Sequence, residues 1–351
     1  MTASDARRTR PPRAPLGLPR RRPGGPPAPL PAPLAALAAA AYGAAHAYQV
    51  YHPPLPAGRA RTPAARGLPV RTRTVTASRD GIPLRAWVVP GAGPHTVVVC
   101  HGMGRTKATV LGHIELLHRA GHHVVAYDLR NHGESGRDRA WRDMGERFTR
   151  DLEDVLAAVA ADPALAGGSL AVLGFSFSTW PALVAAARSR VPVAAVVAEG
   201  GPGFDVAGGF GHFAALRGRT LPAALLTPRS LAAYQRAFRR AALRMLGAAG
   251  WPPDPGSVPA RVMFIAGAHD AVVRPAEVER TARHYPGAEF WVAPNATHLS
   301  GLRFDTAEYE RRVLGFLAEA FEAAGAAGGP YGRHRPYWAV PESITTGDDR
   351  P

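Results

Sequence analysis

Ser176 sits in the run Gly174-Phe175-Ser176-Phe177-Ser178, with a small residue two positions to either side and an apolar stretch, residues 170–173, directly before it. Gly167 and Gly168 precede that stretch, and the alanine-rich residues 182–187 follow, so the pattern reads as buried strand, sharp turn, helix. A serine at such a turn is held in a strained backbone conformation. Its hydroxyl is exposed, and the N-terminus of the next helix is aimed at negative charge on a substrate. That is the setting of a nucleophile for acyl transfer, which needs a base to take its proton and an acid to orient the base. Two later segments offer them. Gly267-Ala268-His269-Asp270 closes an apolar run at 261–266, and Asn295-Ala296-Thr297-His298 follows another at 289–292. Asp270 and His298 each lie just past a strand, where their side chains can converge on the serine. Glu199 and Asp205 follow the strand read at 193–198 and compete for the acid's place; His269 is expected to face solvent.

Several elements must position these groups. Residues 70–76 alternate and read as a strand with one solvated face, and Asp80-Gly81 reads as a hairpin turn into residues 84–89. Residues 96–100 form a continuous apolar run suited to a buried central strand, ending at Cys100-His101-Gly102-Met103-Gly104. Helical spacing is expected over 106–119, over 146–161 (Phe148, Leu152, Val155, Leu156, Val159) and over 309–323. About 55 residues after Glu199 hold no core strand. Their clearest helix is read as capped by Ser230, with Leu231, Tyr234, Phe238, Ala242 and Met245 on one face and Arg236, Arg239, Arg240 and Arg244 opposite.

The serine turn, the His101-Gly102-Met103-Gly104 segment, the run Asp128-Leu129-Arg130-Asn131-His132-Gly133-Glu134-Ser135-Gly136 and the order Ser176, Asp270, His298 together resemble the α/β-hydrolase superfamily over residues 70–323. The resemblance implies an α/β fold: a mostly parallel central sheet flanked by helices, with a helical lid inserted at about 200–258. It implies Ser176, Asp270 and His298 as a catalytic triad, and the backbone N–H groups of Met103 and Phe177 as the oxyanion hole. His101, Phe175 and Glu199 are expected around the substrate pocket, with His101 bracing the loop. No metal and no cofactor are expected. Ser178 stands where the family's G-x-S-x-G has its second glycine, and is read as small enough to be tolerated. Asn131 replaces another glycine and tolerates positive φ, while Pro181 implies an irregular helix start. Thr62-Pro63, Gly67-Leu68-Pro69, Asp80-Gly81 and Trp87 further resemble the BEM46-like or ABHD13-like (serine aminopeptidase S33-type) branch, whose members often carry an N-terminal membrane segment.

The net charge of +15 is unevenly placed: residues 1–73 hold twelve Arg against Asp5 alone, leaving +4 for the rest. A near-neutral catalytic region gives no reason to invoke nucleic acid. Cys100 is the sole cysteine, read as a buried strand residue, so no intramolecular disulfide forms. Residues 1–33 are an Arg- and Pro-rich arm too polar to pack, and 324–351 a comparable tail. Residues 34–50 are apolar and uncharged and are read as a membrane anchor, placing the catalytic domain outside the cytoplasm; a cleaved signal and a helix packed on the domain are the alternatives. A Pro-rich linker, 51–69, follows. The expected partner is a small-molecule ester, lipid-like or otherwise hydrophobic. A peptidase or thioesterase would use the same triad, and a non-catalytic binding protein is the alternative of another class.

Overall fold

The computed structural model describes residues 31–54, 61–201 and 203–326. Most of the N-terminal arm, residues 55–60 of the linker and the tail from 327 lie outside the described residues. The described residues open with helix α1 (Ala32–Tyr51). Strands β1 (Arg71–Thr76) and β2 (Pro83–Val89) form an antiparallel hairpin that turns through Gly81 at φ +75°. Next come β3 (Thr96–Cys100), a 3₁₀ turn at Lys107–Val110, α2 (Leu111–Arg119), β4 (His123–Tyr127), α3 (Met144–Ala160), β5 (Leu170–Phe175), α4 (Thr179–Arg188) and β6 (Ala195–Glu199). Helices α5 (Val206–Gly218) and α6 (Pro228–Leu246) intervene before β7 (Arg261–Gly267), α7 (Pro275–His284), β8 (Glu289–Ala293), a short α8 (Gly301–Phe304) and α9 (Thr306–Ala326).

The eight strands form one sheet in the order β1-β2-β4-β3-β5-β6-β7-β8. Pairing is parallel from β4 through β8, and only β2 against β1 and β4 is antiparallel. Parallel strands need helices on both faces, and the period-two alternation of side chains divides the core accordingly. Val98 and Cys100 face α3 and α4 with Phe148, Leu152 and Leu183, while Val97 and Val99 face α2 and α9 with Ile114, Leu117 and Phe316. This is the α/β-hydrolase architecture expected from the sequence.

Three local expectations are corrected. The helix expected over 106–119 begins as the 3₁₀ turn, and only then becomes α2. The cap of α6 is Thr227, whose Oγ1 accepts from Ser230 N at 3.2 Å; Ser230 lies inside the helix and is buried. The stretch read as a membrane anchor is α1, and it lies along α6. Small residues at every fourth position, Ala35, Ala39, Gly43 and Ala47, form its buried side together with Tyr51. Ala39 and Ala47 pack with Tyr234, Phe238 and Ala242 of α6. A Cβ at Gly43 would stand 2.5 Å from the Tyr234 carbonyl oxygen, so glycine is what lets the two backbones meet. Among the described residues no helix is long and apolar enough to cross a membrane, because alanine contributes so little to transfer into lipid.

The turn between β4 and α3 is fixed by a buried cation. Arg130 is fully buried, its Nε and Nη2 each donating to the Asp151 carboxylate at 2.6 Å, while Nη1 donates to Asp80 at 2.9 Å and Asp138 at 2.8 Å. Asp138 also binds His52 Nε2 at 3.1 Å, which ties the end of α1 into the same network. Burial opposes ionisation of Asp138, but donors from His52, Asn131 and Arg130 outweigh it and hold its carboxyl well below the usual range.

Candidate active site

In an open parallel sheet, loops at the carboxyl ends of neighbouring strands share one edge. The segments after β3, β5, β7 and β8 carry Gly102 to Gly104, Ser176, Asp270 and His298, so the topology alone collects them there. Ser176 directly follows β5 and has φ +52°, a conformation unfavourable for any residue with a side chain. The turn runs through a 3₁₀ segment, Ser176–Ser178, before α4, which accommodates Pro181 in the first turn of that helix, where few amides need partners. Gly174 is required: a Cβ there would lie 2.9 Å from the Ser178 carbonyl oxygen.

His298 Nε2 stands 3.1 Å from Ser176 Oγ, and His298 Nδ1 stands 2.7 Å from Asp270 Oδ2. The other carboxylate oxygen of Asp270 accepts from Val272 N at 2.7 Å and Val273 N at 2.9 Å, so the buried acid is locked in orientation. The competing acids have other partners. Asp205 caps α5 by accepting from Gly208 N at 2.9 Å. Glu199 is buried, accepting from Tyr309 Oη at 2.8 Å and Gly301 N at 3.2 Å. Burial raises the Glu199 carboxyl despite those donors. It braces the loop that follows His298. His269 is exposed.

Two buried histidines shape the loop after β3. His101 Nε2 accepts from Leu129 N at 3.1 Å, so its proton sits on Nδ1, which donates to the Gly102 carbonyl at 2.8 Å. His132 Nε2 accepts from Gly104 N at 3.0 Å, and its Nδ1 donates to the Arg130 carbonyl at 2.8 Å. A proton added to either Nε2 would abolish a backbone hydrogen bond inside a dry environment. Burial accordingly depresses His101 to about 4 and His132 to about 3. Beneath them Lys107 is buried, its Nζ 2.5 Å from both Asp128 and Glu134. Asn131 takes φ +67°, the positive value for which asparagine is suited, and the Gly133 Cα lies so close to Asp128 that a Cβ would meet its Oδ2 at 2.2 Å. Ser178 contributes most directly: its buried hydroxyl donates to the His101 carbonyl at 2.5 Å, linking the serine turn to this loop.

A cavity of about 510 Å³ opens over Ser176 and His298. Met103 and Phe177 line it, as do Trp180, Phe210 and Phe213. His101, Phe175 and Glu199, expected around the pocket, do not reach it. His101 is enclosed below the loop, Glu199 is sealed under Gly301, and Phe175 points to the opposite face of the sheet, where it borders a separate small cavity with His113. Sequence reasoning instead missed His46, Gln49 and Val50 of α1, which line the main cavity. The four-residue spacing of Ala35, Ala39, Gly43 and Ala47 was the available signal that α1 packs on another helix.

The comparisons agree with this architecture. Esterase Pf2001 of Pyrococcus furiosus superposes with a TM-score of 0.62 at 23% identity, covering 77% of this chain and 97% of that one. The α/β hydrolase GrgF of Penicillium sp. sh18 gives 0.58 at 18% identity, with 73% and 100% covered. Esterase EaEST of Exiguobacterium antarcticum gives 0.53 at 16%, with 71% and 100% covered. At these identities the likeness is one of fold. No curated protein matches the sequence. The profile described as the alpha/beta hydrolase family matches residues 97–313, well over half of the chain and including Ser176, Asp270 and His298, and the chain therefore belongs to the alpha/beta hydrolase family.

Proposed function

We propose that this chain is a serine hydrolase that cleaves carboxylic esters of hydrophobic character through an acyl-enzyme. The observation that carries the reading is the hydrogen-bonded line from Ser176 Oγ through His298 to Asp270, at 3.1 Å and 2.7 Å, with the serine at positive φ. His298 Nε2 takes the Ser176 proton as Oγ attacks the ester carbonyl; Asp270 holds the imidazole in the tautomer that can accept it and stabilises the charged form. The developing oxyanion is received by the Met103 and Phe177 amides. Collapse expels the alcohol, protonated by His298, and water then repeats the sequence to release the acid. The apolar lining of the cavity (Trp180, Phe210, Phe213) and the naming of two structural neighbours as esterases support an ester of a hydrophobic acid or alcohol. Membership of the BEM46-like branch, carried by residues 62–87, is part of this reading.

The test uses the full-length protein, since α1 lines the cavity. A fluorophosphonate probe should label the wild type and not Ser176→Ala, and p-nitrophenyl butyrate should be turned over. Asp270→Asn should lower kcat by roughly 10⁴-fold while leaving the fold intact. A well-folded wild type that neither labels nor cleaves any ester, thioester or peptide anilide refutes the proposal and leaves a binding protein. Preference for a thioester or anilide over the ester would move the substrate class and keep the nucleophile.

A further inference from the structure

Helix α1 contributes nothing to the sheet, yet it forms one wall of the cavity over Ser176. His46, Gln49 and Val50 line that wall, and Pro54 continues it. The helix is held there along its length. Gly43 seats it against the α6 backbone, and His46 Nδ1 lies 2.7 Å from Tyr234 Oη. Tyr51, fully buried, donates from its hydroxyl to the Ala242 carbonyl at 3.1 Å and sets its ring edge-on to Phe177, with centroids 5.9 Å apart. Past the end of the helix, His52 binds Asp138 at 3.1 Å and Arg137 donates to the Pro53 carbonyl at 2.8 Å. A wall fixed at so many points is a shape the substrate must fit.

We infer that α1 is a specificity element of this hydrolase, and that Val50 sets the length of the apolar chain the cavity accepts. The inference rests on the hydrolase reading above. Val50 is half-buried and packs against both the main core and the α5–α6 cluster, with Phe210 facing the same space. The substrate class is an ester whose acid or alcohol part is an extended apolar chain, with its far end against α1. His46, already hydrogen-bonded to Tyr234, and Gln49 place polar groups farther along the same wall. In an apolar pocket each methylene gained or lost changes kcat/KM by roughly 10-fold or more. A change of side-chain volume at Val50 therefore acts on long chains and spares short ones.

The experiment measures kcat/KM of the full chain on p-nitrophenyl acetate and octanoate, with fluorophosphonate labelling as the check on the nucleophile. Val50→Trp should lower the octanoate-to-acetate ratio at least about 10-fold, and Val50→Ala should raise it or move the optimum to a longer chain. Leu37→Gln, on the outward face of α1 and 67% exposed, should leave the ratio where it was. The alanine variant cannot overpack the site, so it carries the test if the tryptophan variant folds poorly. Normal labelling of both Val50 variants with acetate and octanoate changed in the same proportion overturns the specificity role alone. A wild type that neither labels nor cleaves either ester removes the hydrolase reading, and this inference with it.

Discussion

Ser178→Ala isolates one hydroxyl. The family pattern has glycine at this position, yet here Ser178 donates to the His101 carbonyl at 2.5 Å inside a region with no exposed surface. Ser178 has φ −67°, ordinary helical backbone, so alanine fits without strain and the change removes only the donor. A buried carbonyl left without that partner costs about 1–3 kcal/mol. For a domain of this size that corresponds to a fall in Tm of about 2–6 °C. The same bond tethers the loop carrying Met103 to the serine turn carrying Phe177, so both amides proposed to receive the oxyanion depend on it. Deleting one such donor outright costs roughly 10²–10³ in kcat. A loosened tether should cost less, and a loss of about 10-fold in kcat with little change in KM is expected, because the oxyanion exists only in the transition state. Calorimetry gives Tm, and initial rates on p-nitrophenyl butyrate give kcat. A variant that melts within about 1 °C of wild type and keeps kcat within about twofold would refute the tether.

The buried histidines predict an acid limb of stability. His101, depressed to about 4, and His113 and His132, each to about 3, are held down chiefly by burial; Lys107 and Arg105 lower His101 further, and Asp128 and Arg137 act in opposite senses on His132. Their folded values lie below the unfolded value of about 6.5, so the stability they support is complete above pH 6.5 and is lost as pH falls towards 4 and 3. At pH 5 each contributes a loss of about 2 kcal/mol, about 6 kcal/mol together, against a usual total of 5–15 kcal/mol. Urea midpoints at pH 7.5 and 5.0 measure it; equal midpoints would contradict the assignment. Gly43→Leu should destabilise by about 1–3 kcal/mol, because its Cβ meets the Tyr234 backbone oxygen at 2.5 Å. Gly315→Ala, in α9 with nothing within 4 Å, should stabilise by about 1 kcal/mol, and thermal melts that rank the two glycines the other way would exclude the close approach of α1 to α6.

The strands were legible in the sequence because their apolar runs are short, bounded by turn residues and distinct in period from the helices: residues 96–100 read as a buried strand and became β3. The sequence also supplied Ser176, Asp270 and His298 as candidates, since each follows a strand and parallel strands end on one edge. The backbone requirements at Asn131 and Gly174 were local and equally legible. What surrounds these three side chains was decided by tertiary structure. Phe175, one residue from the serine, points away from the cavity because strand alternation sends it to the other face, while Val50, 126 positions earlier, lines it because a glycine lets α1 rest on α6. An uncharged alanine-rich helix has the same composition whether lipid or a second helix covers it. Only the partner's surface, here Tyr234, Phe238 and Ala242 of α6, selects between the two.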